Sequence, residues 1–309
     1  PTILYYFFEI TDGDKTVYYV DDEHMHIPGG WGIVEPQWDD QRSFLIVVND
    51  NSFKVPTWLE GAIIYQIFPD RFRNGNTGND PRHGQGFIYG RRARKLNWNQ
   101  QLCDPRGPQC YDEYANQFYG GDLQGITEKL DYLKSLAVSA IYLNPIFQAP
   151  SNHGYDITDY FKIEPRLGDL STFHELVGAA EERGIHLILD GVFNHTSVDH
   201  PFIDYYSRWN DTGELTSRDG PGVDDGSGAC ESPDSHYRNW YFLPDRGHPA
   251  YSEDWSHHLL CPRSGANEPW ESQLTYESWA GYYTLPKLNT HNEAIRLYFY
   301  KNGLRSVAP

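Results

Sequence analysis

The 309 residues carry 43 acidic against 25 basic side chains, a formal net charge of −18, which argues against a nucleic-acid partner because phosphates need Lys and Arg. No apolar run approaches the roughly 18 residues of a membrane-spanning helix, while an apolar content of 39% can build a core. The length exceeds a domain of roughly 100–200 residues and leaves room for two units. Aromatic residues make up 15%, with 9 Trp and 23 Tyr; such rings fill cores and also stack on the apolar faces of sugars. No signal-peptide pattern stands at Pro1, so any export signal is expected to have been removed or never included.

In chain order, residues 1–52 read as all-β. Leu4–Ile10 and Val17–Val20 flank an Asp12-Gly13 turn, a hairpin signal, and Ser43–Val48 reads as another strand. These strands amount to part of a β-sandwich module, and residues 53–58, with Pro56, read as a linker. From Leu59 the pattern changes. Ala62–Phe68 reads as a buried strand, followed by an Asn/Gly-rich loop to Asp122. Ile126, Leu130, Leu133 and Leu136 recur at helical spacing, and Val138–Leu143 is the next strand. Thr172 and Glu175 form a capping box for a helix that turns Phe173, Leu176, Val177 and Ala180 inward and closes near Gly184. The apolar run Ile185–Leu189 then ends in Asp190, Asn194 and His195, polar groups at the end of a strand that reads as buried on both faces. Residues 196–285 read as a long loop-rich insertion without a core of its own. Thr290 and Glu293 form a second capping box, opening a helix through Ile295, Tyr298 and Phe299.

This order, strand–helix–strand–helix–strand, predicts a parallel sheet of α/β class with right-handed crossovers. Without the loop over 70–122 and the insertion, about 108 residues remain after residue 58. At roughly 30 residues per β/α unit they supply about three of the eight units of a (β/α)8 TIM barrel. The expectation is an incomplete barrel over 59–195 and 286–309. The four cysteines form no Cys-x-x-Cys pair. They read as two disulfides, Cys103–Cys110 and Cys230–Cys261, in an oxidising, exported context, with four free thiols as the other reading.

Asp190-Gly-Val-Phe-Asn194-His195 resembles the Asp-x-x-x-Asn-His signature of the α-amylase family of retaining glycoside hydrolases. Ala62–Phe72, Tyr119–Ile126, His153-Gly-Tyr155-Asp156 and Leu285-Pro-Lys-Leu-Asn289 resemble further motifs of that family, in its order. The β module and the Leu-Pro-Lys-Leu-Asn form point to the neopullulanase and amylopullulanase branch. The resemblance implies that Tyr155 stacks under a bound sugar ring and that His153 and His195 hydrogen-bond its hydroxyls, with Asp190 nearby orienting neighbours and sugar. It implies also that the nucleophilic Asp, the acid/base Glu and a third Asp lie on later strands, after residue 309. This sequence therefore reads as the amino-terminal part of an exported α-glucan hydrolase. Its missing carboxyl-terminal part is a partner, and a non-catalytic carbohydrate-binding fragment or half of a split protein is the other reading.

Asn74, Asn76, Asn79 and Asp80 pack oxygen donors into seven residues, as calcium requires. An EF-hand is excluded, since the twelfth position from Asn74 is Gln85 rather than Glu. The segment resembles the calcium loop of cyclodextrin glucanotransferases and neopullulanase-like enzymes, which implies that the Gly120 carbonyl and Asp122 complete the shell. Those glucanotransferases carry a comparable small disulfide ring in this loop, in line with Cys103–Cys110.

Overall fold

The computed structural model describes residues 2–22, 31–39, 41–50, 52, 54–103, 114–232, 234–243, 259–260, 275–279, 282 and 284–303. The chain divides into two compact units, Pro1–Gly61 and Ala62–Pro309. Cys110 and Cys261 lie outside the described residues.

In the first unit β1 (Thr2–Tyr6) pairs antiparallel with β5 (Phe44–Val48), while β2 (Phe8–Asp12), β3 (Lys15–Asp21) and β4 (Gly32–Glu35) form an antiparallel sheet. The hairpin at Asp12-Gly13 is present, with Gly13 at φ +59° as a tight turn requires. The apolar run over Leu4–Ile10 is not one strand. It breaks at Phe7, and its halves join different sheets, as strands do where a sandwich changes layer. Continuous hydrophobicity cannot signal such a break, because both halves have the same composition.

The second unit is built on three parallel strands, β6 (Ile64–Ile67), β9 (Ala140–Leu143) and β12 (His186–Leu189), adjacent in sequence order. Ile67, Ile141 and Leu143 bury against helices α1 (Leu123–Glu128), α2 (Leu130–Ser135) and α3 (Leu170–Glu182), through Ile126, Leu130, Leu133 and Leu176. The periodicity over 126–136 marks two short helices broken at Lys129, and Leu136 caps the second with its side chain exposed. Helix α3 starts earlier than the capping box implied: Asp169 is its N-cap, and its Oδ1 accepts from the Thr172 amide at 2.8 Å. Asp satisfies the orphan amides as well as Thr does, so two adjacent candidates compete and local sequence does not rank them. Likewise Asn292, rather than Thr290, caps α4 (Glu293–Leu297), which runs on as a π-turn over Tyr298–Gly303.

Two short elements frame the site. Strand β10 (Phe147–Gln148) pairs with β11 (Asp159–Ile163), holding the loop 149–158 between them. Strand β7 (Arg94–Lys95) pairs parallel with β8 (Gln117–Phe118), which leads directly into Gly120. The segment after His195 is not coreless. Val198, Ile203, Trp240, Tyr241 and Tyr276 are buried in one cluster with Cys230 and Leu288. Its aromatic packing lacks helical or strand periodicity, which is why the sequence pattern conceals it. Neither Cys103 nor Cys230 is a free thiol. Among the described residues no helix is long and apolar enough to cross a membrane.

Candidate functional site

The parallel register sets Ile67, Leu143 and Leu189 side by side, so the residues that follow emerge together at the carboxyl end of the sheet. Open and closed α/β sheets place ligands at that end. There the Asn144 amide donates to the Ile67 carbonyl at 3.0 Å, and the Asp190 amide to that of Leu143 at 3.2 Å.

The loop 149–158 returns over this edge. Gly154 adopts φ +74°, and a Cβ there would lie 2.5 Å from the Pro145 carbonyl, so only glycine permits the turn. The turn delivers the Tyr155 hydroxyl to Asp190 Oδ2 at 3.0 Å. Tyr142, from β9, lies near enough to Asp190 for the carboxylate to raise its hydroxyl pKa. Partial burial and the carboxylate together hold the Tyr155 hydroxyl protonated by raising its pKa.

Both imidazoles meet the same residue. The Tyr155 amide donates to His153 Nδ1 at 3.1 Å, and His195 Nε2 donates to the Tyr155 carbonyl at 3.0 Å. These partners require protons on Nε2 of both rings. His195 is buried, which lowers its pKa and keeps it neutral. Among the described residues its Nδ1 has no hydrogen-bond partner. One side of its ring stacks on Trp279 at 5.6 Å between centroids and 30°. The Leu285–Asn289 motif holds this corner, with the Leu288 amide bonded to the Asn194 carbonyl at 2.9 Å and Lys287 bridged to His195.

Beneath the loop, Asp156 is fully buried and accepts from the Ser151 amide at 3.2 Å, from the Ser151 hydroxyl and from the Tyr89 hydroxyl. It fixes the loop from below and is a positioning residue. The four residues expected from sequence, His153, Tyr155, Asp190 and His195, thus come together, and His195 is the one shielded from solvent. Sequence reasoning missed Tyr142, Tyr89 and Trp279. Strand alternation could have exposed Tyr142, two residues before Asn144 on the same face of β9. Nothing local marks Trp279, which lies far along the chain from His195.

The residues expected to hold a cation fall into two groups. Gly120 (φ +80°) lies against Asp80 and Asn74: a Cβ there would come 2.0 Å from Asp80 Oδ1 and 2.9 Å from Asn74 Nδ2. Asn74 Nδ2 donates to Asp80 Oδ1 at 2.7 Å. The side-chain oxygens of Asn74 and Asn79 are buried with no hydrogen-bond partner among the described residues, and buried acceptors of this kind call for a donor or a cation. Asp122 and Asn76 are engaged locally. Asp122 accepts from the amides of Gly125 (2.7 Å), Gly75 (3.1 Å) and Asn76 (2.8 Å), and Asn76 Oδ1 accepts from Gly78 at 2.9 Å. Lys95 Nζ donates to Asp80 Oδ1 at 2.9 Å and to the Tyr119 carbonyl at 2.6 Å. Among the described residues no group of three His, Cys, Asp or Glu side chains could hold a metal, so any cation here relies on amide and carbonyl oxygens.

Residues 66–306 match the family described as alpha amylase, catalytic domain. The chain belongs to the α-amylase family. This family membership accords with the strand-end Asp190, the Tyr155 loop and the order of the motifs. The chain is 39% identical over 297 residues to an amylopullulanase of Thermoanaerobacter thermohydrosulfuricus, covering 94% of this chain and 18% of that protein. It is 33% identical over 249 residues to neopullulanase 2 of Thermoactinomyces vulgaris, covering 80% of this chain and 32% of that one. The solved type III pullulan hydrolase from Thermococcus kodakarensis aligns at a TM-score of 0.57 with 30% identity, over 94% of this chain and 42% of that one. The chain therefore spans about a fifth of the amylopullulanase it matches and about a third of the neopullulanase.

Proposed function

We propose that these 309 residues form one wall of the substrate cleft of an exported α-glucan hydrolase of this family. The observation that carries the reading is the convergence of Tyr155 and Tyr142 on Asp190, with His153 and His195 bonded to the Tyr155 backbone. A tyrosine ring, a carboxylate and hydroxyls offer stacking and hydrogen bonds to a neutral polyol. We assign the three parallel strands to the first three units of the barrel, residues 196–285 to an insertion after the third strand, and the catalytic carboxylates to sequence beyond this chain. The lengths of the matched relatives support that assignment. Calorimetric titration with maltose tests the site. Tyr155→Ala should weaken binding about tenfold, the scale of losing one buried aromatic contact. Equal affinity in the variant would count against the sugar site.

We assign calcium to Asn74, Asn76, Asn79, Asp80, the Gly120 carbonyl and Asp122. The partnerless oxygens of Asn74 and Asn79 support the assignment, and a bound ion would tie the two ends of the 70–122 loop. To bind, calcium must displace the Lys95 ammonium from Asp80. Lys95→Met should therefore tighten calcium binding at least about tenfold by removing a like charge, and should increase the rise in melting temperature on adding calcium. Thermal unfolding of the unsubstituted chain and of Lys95→Met that ignores calcium and chelator alike would reject the calcium site and leave Lys95 as the resident cation. The pairing Cys103–Cys110 and Cys230–Cys261, and export, complete the proposal; that neither described cysteine is a free thiol agrees with it.

A further inference from the structure

Tyr89 stands at φ +52° and is followed by Gly90 at φ +82°. Two successive residues in the left-handed region make the tight turn of a hairpin, where Asn-Gly is the favoured pair and a bulky side chain costs free energy. The hairpin is complete around that turn. The Ile88 and Arg91 amides each bond the other's carbonyl at 2.9 Å, and the Ala93 amide bonds the Gln85 carbonyl at 3.0 Å. A tyrosine stays in such a conformation only where its surroundings hold it there. Here Arg92 donates to Asp219 Oδ1 at 2.8 Å and to the Asp219 carbonyl at 2.7 Å, and Asn116 Nδ2 donates to the Arg92 carbonyl at 2.7 Å. Phe87 meets Tyr206 edge-on, with the Arg208 guanidinium over its face at 4.6 Å.

The braced turn delivers the Tyr89 hydroxyl to Asp156 Oδ2, with Ser197 Oγ at 3.5 Å. Burial and the Asp156 charge keep that hydroxyl protonated, so it donates. Ser151, which also donates to Asp156, belongs to the same loop, and its bonds close that loop on itself. Tyr89 instead ties the loop to a segment 67 residues away in sequence. Asn152 makes a matching tie nearer the start of the loop, its amide on the Ala115 carbonyl at 2.9 Å and its Nδ2 on the Gln117 carbonyl at 2.8 Å. Asp156 directly follows Tyr155, so a bond to its carboxylate fixes the peptide from which the Tyr155 ring projects and whose carbonyl meets His195.

We infer that Tyr89 is a positioning residue for the sugar site: through Asp156 its hydroxyl holds Tyr155 in the sugar-binding orientation, and the hairpin over 84–93 thereby sets the affinity of the site from behind it. A loop tied down before the ligand arrives spares the cost of ordering it during binding. That gain accounts for a tyrosine at a turn position better suited to asparagine.

This inference rests on the reading of the Tyr155 site, and the test separates the two. Maltose is titrated calorimetrically into the 309-residue chain, Tyr89→Phe, Asp156→Asn, the double variant and Tyr155→Ala. Tyr89→Phe keeps the ring and removes only the hydroxyl. It should bind maltose about tenfold more weakly, the scale of one hydrogen bond to a charged group, with near-ultraviolet circular dichroism matching that of the unsubstituted chain. Asp156→Asn should also weaken binding, and adding Tyr89→Phe to it should cost less than about twofold more, because the hydroxyl acts through that carboxylate. A role confined to stability would leave the affinity of folded Tyr89→Phe unchanged. Unchanged affinity in that variant, or losses that multiply in full in the double variant, overturns the inference, and weakened binding by Tyr155→Ala then leaves the sugar site standing. If the unsubstituted chain binds no maltose, or if Tyr155→Ala leaves its affinity unchanged, the sugar reading falls and the positioning role with it.

Discussion

Incubated with starch or pullulan, the 309-residue chain is expected to release no reducing sugar above background. Retaining hydrolysis needs two carboxyl groups about 5–5.5 Å apart across the scissile bond, one as nucleophile and one as acid/base. The carboxylate at the site is Asp190, the Tyr155 hydroxyl donates to it, and its charge raises the pKa of the Tyr142 hydroxyl nearby. That bond orients the carboxylate and draws on a lone pair, which in the function we propose suits holding neighbours and sugar rather than attack. Asp156 is fully buried under the loop with three donors on it. Neither can supply a nucleophile facing a second carboxyl acid. The measurement is a reducing-sugar assay on protein free of longer chains. Steady turnover that tracks the 309-residue species would show that a catalytic pair resides within it, and would defeat our assignment of those groups to later sequence.

A second large effect is expected from pH on folding stability. Asp199 and Asp204 are almost wholly buried. Burial raises the Asp199 pKa to about 7 against the opposing pull of Arg208, with Asp156 adding to the rise. Burial likewise raises Asp204 to about 8, opposed by the Arg208 and Trp209 amides and reinforced by Glu231 and Asp199. Both groups hold their protons more tightly when folded than when unfolded, where the value is near 3.8. Their contribution is therefore complete below about pH 4 and is lost as pH rises through 7 and 8, at about 1.4 kcal/mol per pH unit for each group. His200 acts in the opposite sense. Its burial lowers its pKa to about 3, so its contribution is present above about pH 6.5 and lost as pH falls. Over about pH 4 to 6.5 the histidine offsets one of the two carboxyls, and above that range it offsets neither. Denaturant unfolding should accordingly show lower stability at about pH 8 than at about pH 5, and Asp204→Asn should flatten the dependence. A stability curve that rises over that interval in the unsubstituted chain would contradict the protonation states assigned here.

Several parts of this protein were legible in the sequence. Strands β6, β9 and β12 are short apolar runs bounded by polar residues, and that composition marked where the strands lie. The expected burial on both faces holds for the central β9 alone, since Ile64 and Tyr65 of β6 are exposed and β12 is exposed or half-buried throughout, a flanking strand having a neighbour on one side only. The Asp12-Gly13 turn and the close of α3 at Gly184, φ +65°, follow from the backbone freedom of glycine. Asp190 and the loop bearing His153 and Tyr155 were placed on one face by topology alone, since parallel strands send their carboxyl ends to one side. Other features depended on which segments meet in space. Phe7 divides two sheets because its neighbours find different partners, and Asp169 outranks Thr172 because its carboxylate reaches the Thr172 amide. The core behind His195 is assembled from residues between Val198 and Ile295, too dispersed and aromatic to leave a period. Above all, the burial of His195 under Trp279 and the approach of Lys95 to Asp80 join residues that local sequence cannot relate. Periodicity reports how a segment divides between core and water; which side chain fills the space beside a given polar atom is decided only when the distant segments pack.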